Sequence, residues 1–134
     1  ENSIKDGYVK IVSKNIIRSK SLIKSSKQAI DTAKKISLNE TTSKTIFREL
    51  YEGLREFCEA IGYERGYKFL SHESITYFLS DILNEKDISN IFERYRKLRN
   101  GINYYGEDIN ILTVKEAIKN VQLIIKRLGK HVQV

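Results

Sequence analysis

No proline interrupts the 134 residues, and the seven glycines fall in only a few places, so long uninterrupted helices are open to this chain. Apolar side chains recur at intervals of three and four along most of its length, the spacing that gathers them on one face of a helix. No stretch alternates with period two for long enough to predict a strand. The expectation is an all-α fold: an up-and-down bundle of four long helices plus one shorter helix, forming a single domain over 1–134. Residues 1–12, with Gly7 among them, are expected to form a short separate turn of helix.

Five segments carry the pattern. In the first, Ile16, Ser19, Ile23, Ser26, Ile30 and Ala33 share a face that Leu22, Ala29 and Ile36 widen, and its small residues invite close approach by a neighbour. A second begins near 41–43, aligns Ile46, Phe47, Leu50, Tyr51, Leu54, Phe57, Cys58 and Ile61, and ends in Gly62 and Gly66. A shorter third follows Ser71 as N-cap and turns Ile75, Phe78, Leu79, Ile82 and Leu83 inward. The fourth, from about Glu85, uses Ile88, Ile91, Phe92, Tyr95, Leu98 and Ile102. The fifth is expected to open with Thr113 and Glu116 as a capping box and to bury Val114, Ala117, Ile118, Val121, Ile124, Ile125 and Leu128.

The net charge of +7 is unevenly placed: residues 1–37 hold nine Lys or Arg against three acids, the remainder fifteen against fourteen. Such a basic stripe attracts polyanions, RNA among them, although the same pattern also serves as a plain solvated face. The single cysteine, Cys58, excludes an internal disulfide and a multi-cysteine zinc site, and its helical spacing makes it a small core residue. No metal and no cofactor is expected. The sequence has no GxxxxGK[ST] loop, no GxGxxG and no HExxH. No apolar run approaches the ~18 residues of a membrane span, so a cytoplasmic protein without a membrane partner is expected.

Chemistry concentrates in one stretch, RYRKLRNGINYYG, residues 94–106. With Ile88 at zero and ~100° per residue, the apolar face of the fourth helix covers roughly 280° to 40°, and Arg99 falls inside it at about 20°. Arg96 and Asn103 lie beside the stripe; Arg94 and Lys97 point away. A guanidinium keeps its charge, so on a buried face it must meet an acid, such as Glu52, Glu56 or Glu59, or open onto water or an anion.

The run Arg99-Asn100-Gly101-Ile102-Asn103-Tyr104 resembles the signature of HEPN-domain proteins, in which an Arg, usually followed by a polar residue, precedes a His by four to six positions near the end of the penultimate long helix. The segments IKDGYVKI, AIDTAKKISLNE, RELYEGLREFCEAIGYERGYKFLSHESITYFL and RYRKLRNGINYYGEDI extend the likeness over most of the chain. Together they look like the archaeal branch, small proteins often encoded beside a minimal nucleotidyltransferase. The resemblance implies a homodimer with motif helices facing across a two-fold axis, and a metal-independent ribonuclease chemistry in active members. There the 2′-hydroxyl attacks the adjacent phosphate, the Arg stabilises the charge on it, and the His acts as acid or base.

Arg99 and Asn100 match the motif's Arg and polar neighbour, whereas the His position falls on Tyr104. A phenol with a pKa near 10 is about 0.1 per cent ionised at pH 7 and makes a poor base. In the longer form of the motif a terminal Tyr accepts nucleotidyl groups in some systems; that position is Gly106 here, with Tyr104 and Tyr105 close by. His72, just after Ser71, is expected at the surface or as part of a cap, and His131 in a frayed tail. Tyr51 and Tyr95 are expected in the core. The expected function is an RNA- or nucleotide-binding protein with a degenerate ribonuclease motif, partner of a minimal nucleotidyltransferase in a toxin-antitoxin or defence system. Its catalytic remnant would be Arg99, Asn100 and Tyr104, and its phosphate-binding set Arg96, Arg99, Asn103 and Tyr105. The alternatives are an active metal-independent ribonuclease and a purely structural dimerisation module.

Overall fold

The computed structural model describes residues 9–133, in which five helices dominate. They are α1 (Ile16–Lys35), α2 (Ser43–Arg65), the six-residue α3 (His72–Tyr77), α4 (Lys86–Tyr105) and α5 (Ile111–Leu128). Helix α2 is the axis of the core. Every apolar residue expected on its inward face is buried, Cys58 included, and α1, α4 and α5 pack around it. The small residues of α1 do what their size allows: Ser19 Oγ donates to the Ala60 carbonyl at 2.7 Å and Ser26 Oγ to the Gly53 carbonyl at 2.6 Å. A Cβ on Gly53 would lie 2.8 Å from the Ile30 side chain, so the two helices meet closer than any larger residue permits. Ile16, expected on this face, is instead exposed at the start of α1.

Two short strands correct the expectation of helix alone. β1 (Val9–Ile11) pairs antiparallel with β2 (Tyr67–Phe69), Val9 opposite Phe69 and Ile11 opposite Tyr67. Residues 9–12 are therefore extended rather than helical, while residues 1–8, Gly7 among them, lie outside the described residues. Three-residue strands are too short for alternation to register in a sequence. What creates them is the end of α2: Gly66, at φ 85°, takes the left-handed turn that reverses the chain, and its carbonyl accepts from Val12 N–H at 2.8 Å. Gly62 does not end the helix; it lies buried within α2, where a Cβ would meet the Phe69 ring at 2.7 Å.

β2 leads straight into α3, capped as expected by Ser71, whose Oγ accepts from Ser74 N–H at 3.2 Å. A π-helical turn, Phe78–Ile82, continues it, and Asn84 at φ 56° turns the chain into α4. The expected capping box of the fifth helix does not form. Asn110 caps α5 two residues after Asp108, its side chain accepting from Leu112 N–H at 2.7 Å, which leaves Thr113 inside the first turn.

The end of α5 is held too. Glu85, only 5% exposed, accepts from His131 Nε2 at 2.8 Å and pairs with Lys130 at 3.0 Å and Arg127 at 3.3 Å. His131 is thus not in a frayed tail but in a short 3₁₀ turn (Gly129–His131) tied to the start of α4. No helix among the described residues is long and apolar enough to cross a membrane.

Candidate anion-binding site

Helix α4 runs without fraying to Tyr105 and stops at Gly106, left-handed at φ 65°. Its buried stripe, Ile88, Phe92, Tyr95 and Ile102, packs on α2, with Phe47 and Tyr95 edge to face at 5.5 Å. Gly101 lies on the buried side because the Glu107 carboxylate folds back over it; a Cβ there would collide with Oε1. Arg99 shares that face by its spacing but is only partly buried.

The three acids expected opposite Arg99 are engaged elsewhere. Glu52 and Glu59 both pair with Arg55 on their own helix, and Glu56 accepts from Ser25 Oγ at 2.6 Å. Partial burial pushes Glu52's pKa up, but the Arg55 hydrogen bonds and charge outweigh it and hold the carboxyl below its usual range; His72 and Arg99 add weaker contributions. Among the described residues no carboxylate lies within ion-pair distance of Arg99. Its contacts are neutral: Asn100 Oδ1 at 3.2 Å and Tyr104 Oη at 3.4 Å both accept from Nη1, and the guanidinium carbon lies 5.8 Å from the Tyr51 ring centre and 5.7 Å from that of Tyr104. Aromatic faces hold a cation in place, each contributing about 0.5–1 kcal/mol, without cancelling its charge.

Arg99, Asn100 and Tyr104 line a cleft of about 300 Å³ between α4 and the start of α3, closed on the other side by Ser71, His72 and Glu73. Arg96 also lines it but is largely neutralised. Its Nε and Nη2 each donate to Glu93 at 2.8 Å, and Glu73 lies 3.9 Å away. Two residues assigned to phosphate binding are not brought here: Asn103 accepts from Arg48 Nε at 2.8 Å, towards α2, and Tyr105 is 80% exposed beyond the cleft. Arg94 and Lys97 border a separate groove with Glu107, consistent with their outward direction on the wheel.

His72 opens α3 directly after Ser71, as expected, but turns towards Tyr51 and the cleft. Its Nδ1 lies 2.9 Å from the Tyr51 hydroxyl and the two rings are 5.7 Å apart. Burial, followed by the charges of Arg55 and Arg99, lowers its pKa to about 4, so the ring is neutral at pH 7. Burial also pushes the Tyr51 phenol up, keeping it protonated. A second helix thus brings an imidazole to the cleft that Arg99 lines. No local pattern announces this, because the placement depends on the β1–β2 pairing and on Tyr51, 21 residues away.

Among the described residues no group of three or more His, Cys, Asp or Glu is arranged to hold a metal ion. Comparison with family models, with curated proteins and with solved structures finds no match.

Proposed function

We propose that the chain is a HEPN-like RNA- or nucleotide-binding protein whose phosphate site is the α3–α4 cleft, acting as a homodimer and as partner of a minimal nucleotidyltransferase in a toxin-antitoxin or defence system. The observation that carries this reading is Arg99: a permanent cation, partly buried, flanked by two tyrosines and, among the described residues, without a carboxylate in ion-pair distance, while Glu52 and Glu59 pair with Arg55. An incoming phosphate would complete it, with Asn100 and Tyr104 as polar partners. Leu70, Tyr104 and Tyr105, all more than half exposed on segments bordering the cleft, supply apolar surface for a second copy.

A specific observation also favours a catalytic version, namely His72 in the same cleft. In the tautomer whose Nδ1–H donates to the Tyr51 hydroxyl, Nε2 of the neutral ring is able to accept the 2′-hydroxyl proton as that oxygen bonds to the adjacent phosphorus and the P–O5′ bond breaks; solvent water protonates the departing 5′-oxygen and takes the proton back from the ring, leaving a cyclic phosphate. Incubating the protein with mixed-sequence RNA in EDTA, with fluorescence anisotropy for binding and gel analysis for cleavage, tests both. Binding that is lost in Arg99→Ala supports the site; cleavage that is lost in both Arg99→Ala and His72→Gln adds catalysis. RNA binding unchanged in Arg99→Ala contradicts the reading. Light scattering at micromolar concentration checks the dimer.

A further inference from the structure

His72 and Arg99 reach the cleft from different helices and meet it with different chemistry. Arg99 brings a fixed charge. His72 brings a neutral ring that gains a charge only by taking up a proton. Nδ1 shares a hydrogen bond with the Tyr51 hydroxyl, so Nε2 is the ring nitrogen left to face a ligand, and on the protonated ring it donates. Asn100, whose Oδ1 accepts from Arg99, keeps its amide hydrogens for a ligand.

Resting on the reading that this cleft binds phosphate, we propose that its ligand is a terminal phosphate monoester, of a nucleotide or of an RNA end, and that His72 is the residue that selects it over an internal diester. A monoester presents three peripheral oxygens and a charge of about −1.5 to −2 at pH 7, whereas a diester carries a single negative charge. Arg99 alone matches the diester. Arg96 adds little, because Glu93 and Glu73 already answer it. A second negative charge calls for a second cation, and His72 becomes one by protonation.

The groups around His72 set the terms of that uptake: Tyr51, Glu52 and Arg55 from α2, Glu73 beside it in α3, and Arg96 and Arg99 from α4. In the empty cleft burial and the arginines disfavour imidazolium. A dianion seated against Arg99 offsets that repulsion and attracts the proton directly. The cleft's ~300 Å³ gives room for a phosphate and its sugar. Tyr104, 67% exposed at its edge, offers a ring face on which a base can stack.

Calorimetric titration of the full chain at pH 7 with adenosine 5′-monophosphate and with its 3′,5′-cyclic diester tests this, alongside a short RNA carrying or lacking a 5′-phosphate. The monoester is expected to bind at least tenfold tighter than the cyclic diester, with net proton uptake seen as a buffer-dependent heat. In His72→Gln and in His72→Asn, both checked for folding by circular dichroism, the preference falls below threefold while both ligands still bind. A gain from the 5′-phosphate on RNA identifies an RNA end as the source; a preference seen only with the free nucleotide identifies that instead. Equal affinity for monoester and diester, or a preference that survives both His72 variants, overturns the inference and leaves the anion site standing. No saturable binding of any of the four ligands overturns both.

Discussion

The two ends of α4 handle charge in opposite ways. At its start a nearly buried carboxylate, Glu85, is surrounded by His131, Lys130 and Arg127; near its end a partly buried cation, Arg99, meets no carboxylate among the described residues. Both ends also hold a histidine. His131 faces a carboxylate at 2.8 Å and serves to close the bundle, while His72 faces a phenol at 2.9 Å and stays neutral. The first arrangement is electrically complete and belongs to stability. The second is left open, and on the proposed reading an anion completes it.

The largest expected effect lies at the closed end. Glu85→Gln takes the shared carboxylate from Arg127, Lys130 and His131 and should cost about 2 kcal/mol in urea unfolding, with no change in phosphate affinity. The reverse is expected at the open end: Arg99→Ala should weaken phosphate-ligand binding at least tenfold, which is about 1.4 kcal/mol, and shift the urea midpoint little. Should Arg99→Ala instead unfold the protein, the contrast between the two ends fails. Acid sharpens it further. His72 has a folded pKa of about 4 against an ordinary 6.5, so the unfolded chain binds the extra proton. Its contribution is fully present above pH 6.5 and is lost as the pH falls towards 4, about 1 kcal/mol after allowance for solvent screening. Stability curves should therefore slope through that window in the parent and flatten in His72→Gln.

Glu85 differs in where it titrates. Its burial raises the carboxyl pKa, but hydrogen bonds from His131 and Lys130 outweigh this and hold it below the usual range, so its contribution disappears only below about pH 4.5. The smallest effect is expected for Arg96→Gln. Glu93 already takes that guanidinium, and phosphate affinity should fall less than threefold by the same titration.

The helices were legible because their signals are local. The α2 stripe from Ile46 to Ile61, the Ser71 cap and the place of Arg99 inside the α4 stripe all follow from spacing along one element. The strands escaped because three-residue pairings are fixed by the Gly66 reversal rather than by composition. Asn110 prevailed over Thr113 as the cap of α5 because its extended backbone begins the helix three residues earlier than the expected capping box. Half of the cleft was similarly out of reach. Arg99, Asn100 and Tyr104 share a helix and could be read together, whereas His72 joins them only through tertiary packing against Tyr51, and Asn103 is drawn off by Arg48, 55 residues away.

The central claim is that the charge of Arg99 is left open for an anion, and titration of isotope-labelled protein with inorganic phosphate, followed by NMR at the Asn100 side-chain amide and the His72 ring, tests it most directly. Saturable shifts at both groups in the parent, absent in a folded Arg99→Ala protein, are predicted. Groups that remain unmoved at saturating phosphate, or that move identically without Arg99, would contradict it.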